Sequence, residues 1–361
     1  MKIRELSLVD WRSYAHAEMS FGDGLTAIVG ENGQGKTNLI EAIGWLAGLG
    51  SFRGAPDDAV VRSGADATVV RATVEAEDGR EQLIEIEIPR VGRNRIQVNR
   101  QRLSRTGDLI GVLQVTVFSP DDLDLVKGGP VLRRGWLDEA LAARHPKNTA
   151  LRADVERILK QRNALLRGVH GALDADAGYT LDVWDSKLAE AGERLRAGRL
   201  ELLEEMAPKL AESYDAVARS QGRATASYVS SWDGALGDAL VAARDQDLRR
   251  GVSTVGPHRD EVLLELNGMA ARTHASQGEQ RSLALALRLA ADGVVRAAGV
   301  AEPVLLLDDV FSELDPNRAA ALLEALPPGQ RILTTAAGLP PAARPDQVVR
   351  VHDGVITSEP G

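Results

Sequence analysis

The chain has no cysteine among its 361 residues. That excludes a disulfide scaffold, a thiolate metal site and a cysteine nucleophile, and it fits a reducing compartment. No apolar run approaches the roughly 20 residues that a membrane-spanning helix needs. The first residues, MKIRELSLVDW, alternate and carry charge, the pattern of a strand rather than of a signal peptide. The expectation is a soluble, cytoplasmic protein with no membrane contact. Positive charge is not in excess either, because the formal net charge is −9. That argues against a surface coated for nucleic acid, and any DNA contact must come from a local basic patch. Arg90 to Arg105 and Arg133–Arg134 are the candidates, and each reads equally well as a solvated edge strand or helix face. No single residue is assigned to DNA. Internal repeats and low-complexity segments are also lacking.

What is present is 44% hydrophobic residues, enough for a sizeable core. Residues 1–118 are rich in strand signals. Thr68 to Ala76 and Glu81 to Pro89 flank Asp78-Gly79, a strong hairpin turn. Ser119-Pro120-Asp121-Asp122 reads as a helix start, with a cap, a proline at the first position and acids in the first turn. From there to about Gly251 the pattern is mostly helical. Val155, Ile158, Leu159, Arg162 and Leu166 share one face. From Thr180 to Ala218 the apolar positions Leu181, Trp184, Leu188, Ala191, Leu195, Leu202, Met206 and Leu210 keep a three-to-four spacing, with a gap at Gly198. Such a helix would be roughly 60 Å long. It reads as a bundle helix or as a coiled coil with another chain. After Gly251 strands return, with a hairpin turn at Asn267-Gly268, and then helices and strands alternate, so a parallel sheet is expected. The resulting organisation is one α/β domain, residues 1–118 and 251–361, interrupted by a helical insertion, 119–250.

The chemistry begins at Gly30-Glu31-Asn32-Gly33-Gln34-Gly35-Lys36-Thr37. This matches GxxxxGK[ST] in full, with an apolar strand before it and a helix after it. Gly30 and Gly35 let the backbone fold round a phosphate without Cβ clashes. Backbone N–H groups and the positive end of the following helix hold the anion. Lys36 reaches the β and γ phosphates, and the Thr37 hydroxyl binds Mg²⁺. A second motif, Pro303 to Asp309 (PVLLLDD), is a strand buried on both faces that ends in two carboxylates. Asp308 is placed to hold Mg²⁺ and Asp309 to orient or deprotonate a water. A third, Ser276-Gln277-Gly278-Glu279-Gln280, opens another helix and makes a further anion-binding helix start. Ser312 to Asp315 (SELD) follows the two carboxylates.

In this order the motifs resemble the split ABC-type P-loop ATPase head of SMC-like DNA repair proteins: Walker A at 30–37, signature at 276–280, Walker B at 304–309 and D-loop at 312–315. More closely, the chain resembles the RecF family of bacterial recombination mediators. The likeness covers nearly the whole length. It includes RSY at 12–14, SFRG at 51–54, VFSPDDLDLVKGGPVLRRGWLD at 117–138 and VGPHRDE at 255–261. The resemblance implies an α/β ATPase head with an inserted all-helical lobe in place of a long coiled coil. It implies ATP and Mg²⁺ as cofactors and an ATP-dependent homodimer, in which Ser276 to Gln280 of one copy cap the nucleotide held at Walker A of the other. It implies slow hydrolysis that releases the dimer, DNA binding at single-strand gaps, and action with RecR and RecO in loading RecA, which supports replication restart and the SOS response.

Three departures from the wider ABC pattern stand out. The strand after Walker B reads RILTTA, with Thr334–Thr335 and no switch histidine. Asp309 is one methylene shorter than the usual Glu. The Gln expected after the Val115–Phe118 strand is missing, and Gln114 precedes that strand. The first two fit slow turnover, a switch rather than a motor. His258 and Arg259 read equally as nucleotide contacts, DNA contacts or loop anchors. The rival readings, the ATP-binding subunit of a membrane transporter and a small-molecule P-loop kinase, leave the helical insertion or the SQGEQ and SELD motifs without a role.

Overall fold

The computed structural model describes the chain apart from residues 49, 104–108, 110, 170–172, 220–221, 300–301, 337 and 361. The end of the basic run at 90–105 thus lies outside the described residues. The chain divides into two compact units. The first comprises Met1–Asp122, Ser213–Gln221 and Arg281–Gly361, and the second Leu123–Glu212 and Gly222–Gln280.

The first unit holds two six-stranded sheets. One is antiparallel and is built around Lys2–Trp11 and the Ala67–Glu75/Glu81–Pro89 hairpin, whose turn is Asp78-Gly79. Residues buried and half-buried alternate along Ala67–Glu75, as the two-residue period of a strand covered on one face requires. The other sheet runs, in spatial order, Val355–Pro360, Gln347–His352, Leu25–Val29, Arg331–Thr335, Val304–Asp308 and Val115–Phe118. All its neighbouring pairs are parallel except the outermost, Gln347–His352 with Val355–Pro360.

The parallel sheet is buried on both faces, which is why its strands are continuous apolar runs. Leu306, Ile332 and Val349 join Leu39, Ile40 and Ile43 of the helix Lys36–Leu46 in one core. Leu305, Leu307 and Leu333 point the other way and join Leu285, Leu289 and Leu322 in a second core. Each fully buried leucine of this kind contributes roughly 1.5–3 kcal/mol.

The second unit is helical over Pro130–Arg144, Thr149–Gly168 and Leu236–Arg250, and contains most of the 44-residue helix Ala175–Ala218. Pro208 lies inside that helix without ending it. Leu181, Leu188, Leu195, Leu202, Met206 and Leu210 are all buried within this one chain, so it is a bundle helix. The gap in the stripe also has a reason. A Cβ at Gly198 would stand 3.1 Å from Leu141 Cδ2, so the glycine lets a neighbouring helix approach closely. The second unit also carries a small antiparallel sheet of Ala224–Val229, Glu261–Leu266 and Met269–Ala270. The turn into its last strand is Asn267-Gly268, with φ of 55° and 76°, the left-handed pair of a two-residue hairpin turn. The strand Ala224–Val229 is one that the helical pattern of the sequence conceals: it is short, and its outward residues break any clean alternation.

Candidate functional site

The parallel register brings the C-terminal ends of the strands to one edge. Thr334 lies beside Ile28 on one side and beside Asp308 on the other, and Leu307 lies beside Phe118. The loop after Leu25–Val29, the carboxylates after Val304–Asp308 and the threonines ending Arg331–Thr335 therefore meet there, at the edge where open α/β sheets bind ligands. Gln114 sits at the opposite end of its strand, where its carbonyl accepts from Val304 N at 2.9 Å.

The loop is held in a narrow conformation. A Cβ at Gly30 would stand 2.4 Å from the Val351 carbonyl oxygen, so no other residue fits. Gly35, at φ 104°, is in a region that favours glycine. The Tyr14 hydroxyl donates to the Gly35 carbonyl at 3.1 Å, and the Gln34 side chain accepts from Asp353 N at 2.5 Å. Glu31, Asn32 and Gly33 are exposed at the tip. Lys36 is buried and donates from Nζ to the Glu31 carbonyl at 2.7 Å. Burial lowers its pKa, and the charges of Asp309 and Asp308 oppose that shift. Thr37 Oγ1 donates to Asp308 Oδ1 at 2.8 Å.

Asp308 is buried, which raises its carboxyl above the usual range. Hydrogen bonds from Thr334 and Thr37 and the positive charge of Arg53 oppose this shift. Asp309 adopts a left-handed conformation, φ 48° and ψ 26°, uncommon for a residue with a Cβ. Its Oδ1 is buried and has no hydrogen-bond partner among the described residues. Thr37 Oγ1 and Asp308 Oδ1 are hard oxygens of the kind magnesium takes, an ion that draws most of its ligands from phosphate and water. Among the described residues no group of three or more His, Cys, Asp and Glu could hold a metal, so an all-protein cage is not built here. The donor set fits Mg²⁺ carried with a nucleotide.

Several residues that position this edge had no role assigned to them in the sequence. Arg12 binds Glu41 in a fork, at 2.8 and 2.6 Å, and Glu41 is fully buried in the helix that follows the loop. Asn38 of the same helix donates to Ser13 Oγ at 3.1 Å, and its carbonyl accepts from Trp11 Nε1 at 2.8 Å. The RSY triplet at 12–14 thus ties one edge of the antiparallel sheet to the glycine loop and its helix. The triplet itself was the only signal in the sequence.

The D-loop residues divide by role. Ser312 Oγ donates to the Asp309 carbonyl at 2.8 Å. Asp315 caps the helix Pro316–Ala325, accepting from Asn317 N and Arg318 N at 3.0 and 3.1 Å. Glu313 pairs with Arg281 at 2.8 Å.

Ser276 to Gln280 begin the helix Gln277–Ala297 and belong to the second unit. Ser276 N donates to Glu279 Oε2 at 2.7 Å, the reciprocal half of a capping box. Gln280 is buried and donates to the Ala271 and Arg272 carbonyls at 3.0 and 3.1 Å, fixing the turn. Ser276 and Gln277 are exposed, and Gly278 is half-buried.

His258 and Arg259 anchor their loop. His258 Nε2 lies 3.1 Å from the Ser253 carbonyl, and Arg259 donates to the same oxygen at 3.3 and 3.1 Å. Burial pushes the His258 imidazole down to about 4, with the charges of Arg259 and Arg134 adding to the effect. The unfolded histidine titrates near 6.5, so the unfolded chain binds the extra proton between the two values. Stability of the second unit therefore falls as pH drops from about 6.5 to about 4, by up to about 3 kcal/mol. Hydrogen exchange in that unit across this range measures the loss. His258→Gln is expected to flatten it, and an unchanged slope would assign it to other groups.

The chain matches the family model of the RecF/RecN/SMC N terminal domain over residues 2–336. It is 46% identical over 352 residues to the DNA replication and repair protein RecF of Streptomyces avermitilis, covering 93% of this chain and 94% of that protein. With the RecF of Kineococcus radiotolerans it is 43% identical, covering 98% and 97%. A solved structure of the recombination mediator protein RecF-ATP in the RecFOR pathway superposes with a TM-score of 0.90 at 29% identity, covering 99% of each chain. The Smc head bound to the C-winged helix domain of ScpA superposes at 0.60 with 17% identity, a likeness of fold. With its glycine loop and paired carboxylates on one edge of an ABC-type sheet, the chain belongs to the RecF family of DNA replication and repair proteins.

Proposed function

We propose that this protein is an ATP-gated DNA-binding ATPase of recombinational repair. One observation carries the reading: Lys36, Thr37, Asp308 and Asp309 lie on one strand-end edge, with a hydroxyl–carboxylate contact of 2.8 Å between Thr37 and Asp308. Gly30 to Thr37 wrap the phosphates of ATP, with Lys36 supplying the cation. Thr37 and Asp308 hold Mg²⁺, which when bound offsets the charge of the β and γ phosphates. Asp309, whose Oδ1 has no partner among the described residues, orients or deprotonates the water that attacks. In this reading residues 1–118 and 251–361 form the ATPase head and 119–250 the insertion.

Ser276 to Gln280 of a second copy close over the nucleotide, with Ser312 and Asp315 beside the seam. A triphosphate shared by two copies favours the closed dimer because only the closed state gains both sets of contacts. The dimer binds DNA at single-strand gaps, in the cytoplasm, and with RecR and RecO promotes RecA loading. The RecF-ATP and RecF-ATPrS relatives support the nucleotide part of this reading.

Sedimentation with a non-hydrolysable ATP analogue tests it. The wild type is expected to shift from monomer to dimer. Ser276→Arg is expected to bind the analogue as tightly and to stay monomeric, because the exposed Ser276 supports little else. The lost cap itself costs only about 1 kcal/mol. A dimer of the variant would overturn the contact in trans, and a wild type that binds the analogue but never dimerises would overturn the gate.

A further inference from the structure

The strand after the paired carboxylates, Arg331–Thr335, has a buried hydroxyl one residue before its end. Thr334 has no exposed surface, and its hydroxyl meets the last residue of the neighbouring strand and the residue after it. Thr334 Oγ1 donates to Asp308 Oδ1 at 2.7 Å and accepts from Asp309 N at 2.9 Å. The Thr334 carbonyl also accepts from Asp309 N, at 3.2 Å. That N–H belongs to a residue in the left-handed region, whose Oδ1 is buried without a partner among the described residues. A left-handed conformation in a residue with a Cβ persists only where its surroundings over-determine it.

We infer that Thr334 is a positioning residue for ATP hydrolysis: its hydroxyl locks the carboxyl of Asp308 and the backbone of Asp309 into the geometry in which Asp309 meets the attacking water. The inference rests on the reading of Asp309 above. The hydroxyl acts from the sheet side, through two hydrogen bonds that one atom can make together because it is both donor and acceptor. Fully buried, the Thr334 side chain acts on the acids alone. Binding of nucleotide rests on the loop, on Lys36 and on the Thr37–Asp308 contact, and Asp308 keeps that contact without the Thr334 hydroxyl.

Thr334→Val keeps the shape and removes both bonds. It is expected to lower kcat by about 10-fold or more, since a small misplacement of a base is felt strongly in the rate. The KM and the affinity for a non-hydrolysable analogue are expected to stay within about threefold of wild type, as the phosphate contacts are untouched. Thr334→Ser restores the hydroxyl and is expected to recover most of the rate. Thermal melts of both variants accompany the assay, because a buried substitution can act through folding. The inference is overturned if Thr334→Val turns over like wild type. It is also overturned if valine and serine variants are equally slow, or if affinity falls in step with kcat or with melting temperature. Wild-type protein that binds no nucleotide would instead overturn the ATPase reading on which the inference stands.

Discussion

Lys36→Met is expected to weaken ATP binding by about 100-fold or more and to abolish hydrolysis, the scale set by removing one buried partner of a charged contact. Lys36 is the buried cation of the glycine loop, and its Nζ is held at the Glu31 carbonyl, 2.7 Å away. Asp308 and Asp309 both raise its pKa against the effect of burial, so the charge is needed by the acids as well as by phosphate. Methionine matches the length and apolar stem of lysine and removes the Lys36 charge from beside two acids, while Asp308 keeps the charge of Arg53. If ATP gates DNA binding, salt-resistant retention of gapped DNA with ATP should be lost in the same variant. Retention unchanged from wild type would break the link between nucleotide and DNA. Equilibrium binding of a labelled analogue measures the first effect, and filter retention at raised salt the second.

Arg162→Ala is expected to destabilise the second unit by about 3–5 kcal/mol, the range for removing one partner of a buried ion pair. The guanidinium is fully buried. It donates to Asp185 at 2.7 Å, to Asp247 at 2.6 Å and to the Ser253 hydroxyl at 2.8 Å. Asp185 keeps Arg244 in the variant. Asp247, also fully buried, keeps among the described residues only neutral donors, the amide and hydroxyl of Thr254. An uncompensated carboxylate is then left inside the bundle. Hydrogen exchange followed peptide by peptide should show protection falling across 123–212 and 222–280. A loss of less than about 1 kcal/mol would mean that water relieves the exposed acid, since a surface pair contributes no more than that.

Arg162 also marks where sequence patterning stops. It occupies a helix face otherwise made of Val155, Ile158, Leu159 and Leu166, and the 3.6-residue period places it inward. Its partners come from positions 185, 247 and 253, which no local period connects. The same holds for Arg133. Residues 133–134 suggested a basic patch, yet Arg133 is buried, forks onto Glu261 at 2.8 Å and donates to two carbonyls. Arg134 donates to the Asp260 carbonyl at 2.6 Å. Arg90 is likewise spent on the Ala65 and Arg62 carbonyls, at 3.1 and 2.9 Å. Charge counted along a chain does not tell a solvated arginine from one that ties loops together, because the difference lies in which backbone oxygens fold back onto it.

The chain by itself determined the features whose physics is local. These are the glycine loop between an apolar strand and a helix, the doubly buried strand ending in Asp308 and Asp309, the hairpin turns at 78–79 and 267–268, and the long amphipathic helix. Each depends on residues a few positions apart, so spacing suffices to read it. Only the tertiary structure decided that Thr334 braces both acids, that Arg12 and Tyr14 hold the loop from another sheet, and that a small sheet stands among the helices of the second unit. Strand order puts Arg331–Thr335 between the phosphate loop and the carboxylates. Hydrogen bonds between residues tens to hundreds of positions apart are set by that order, and a one-dimensional pattern carries no record of it.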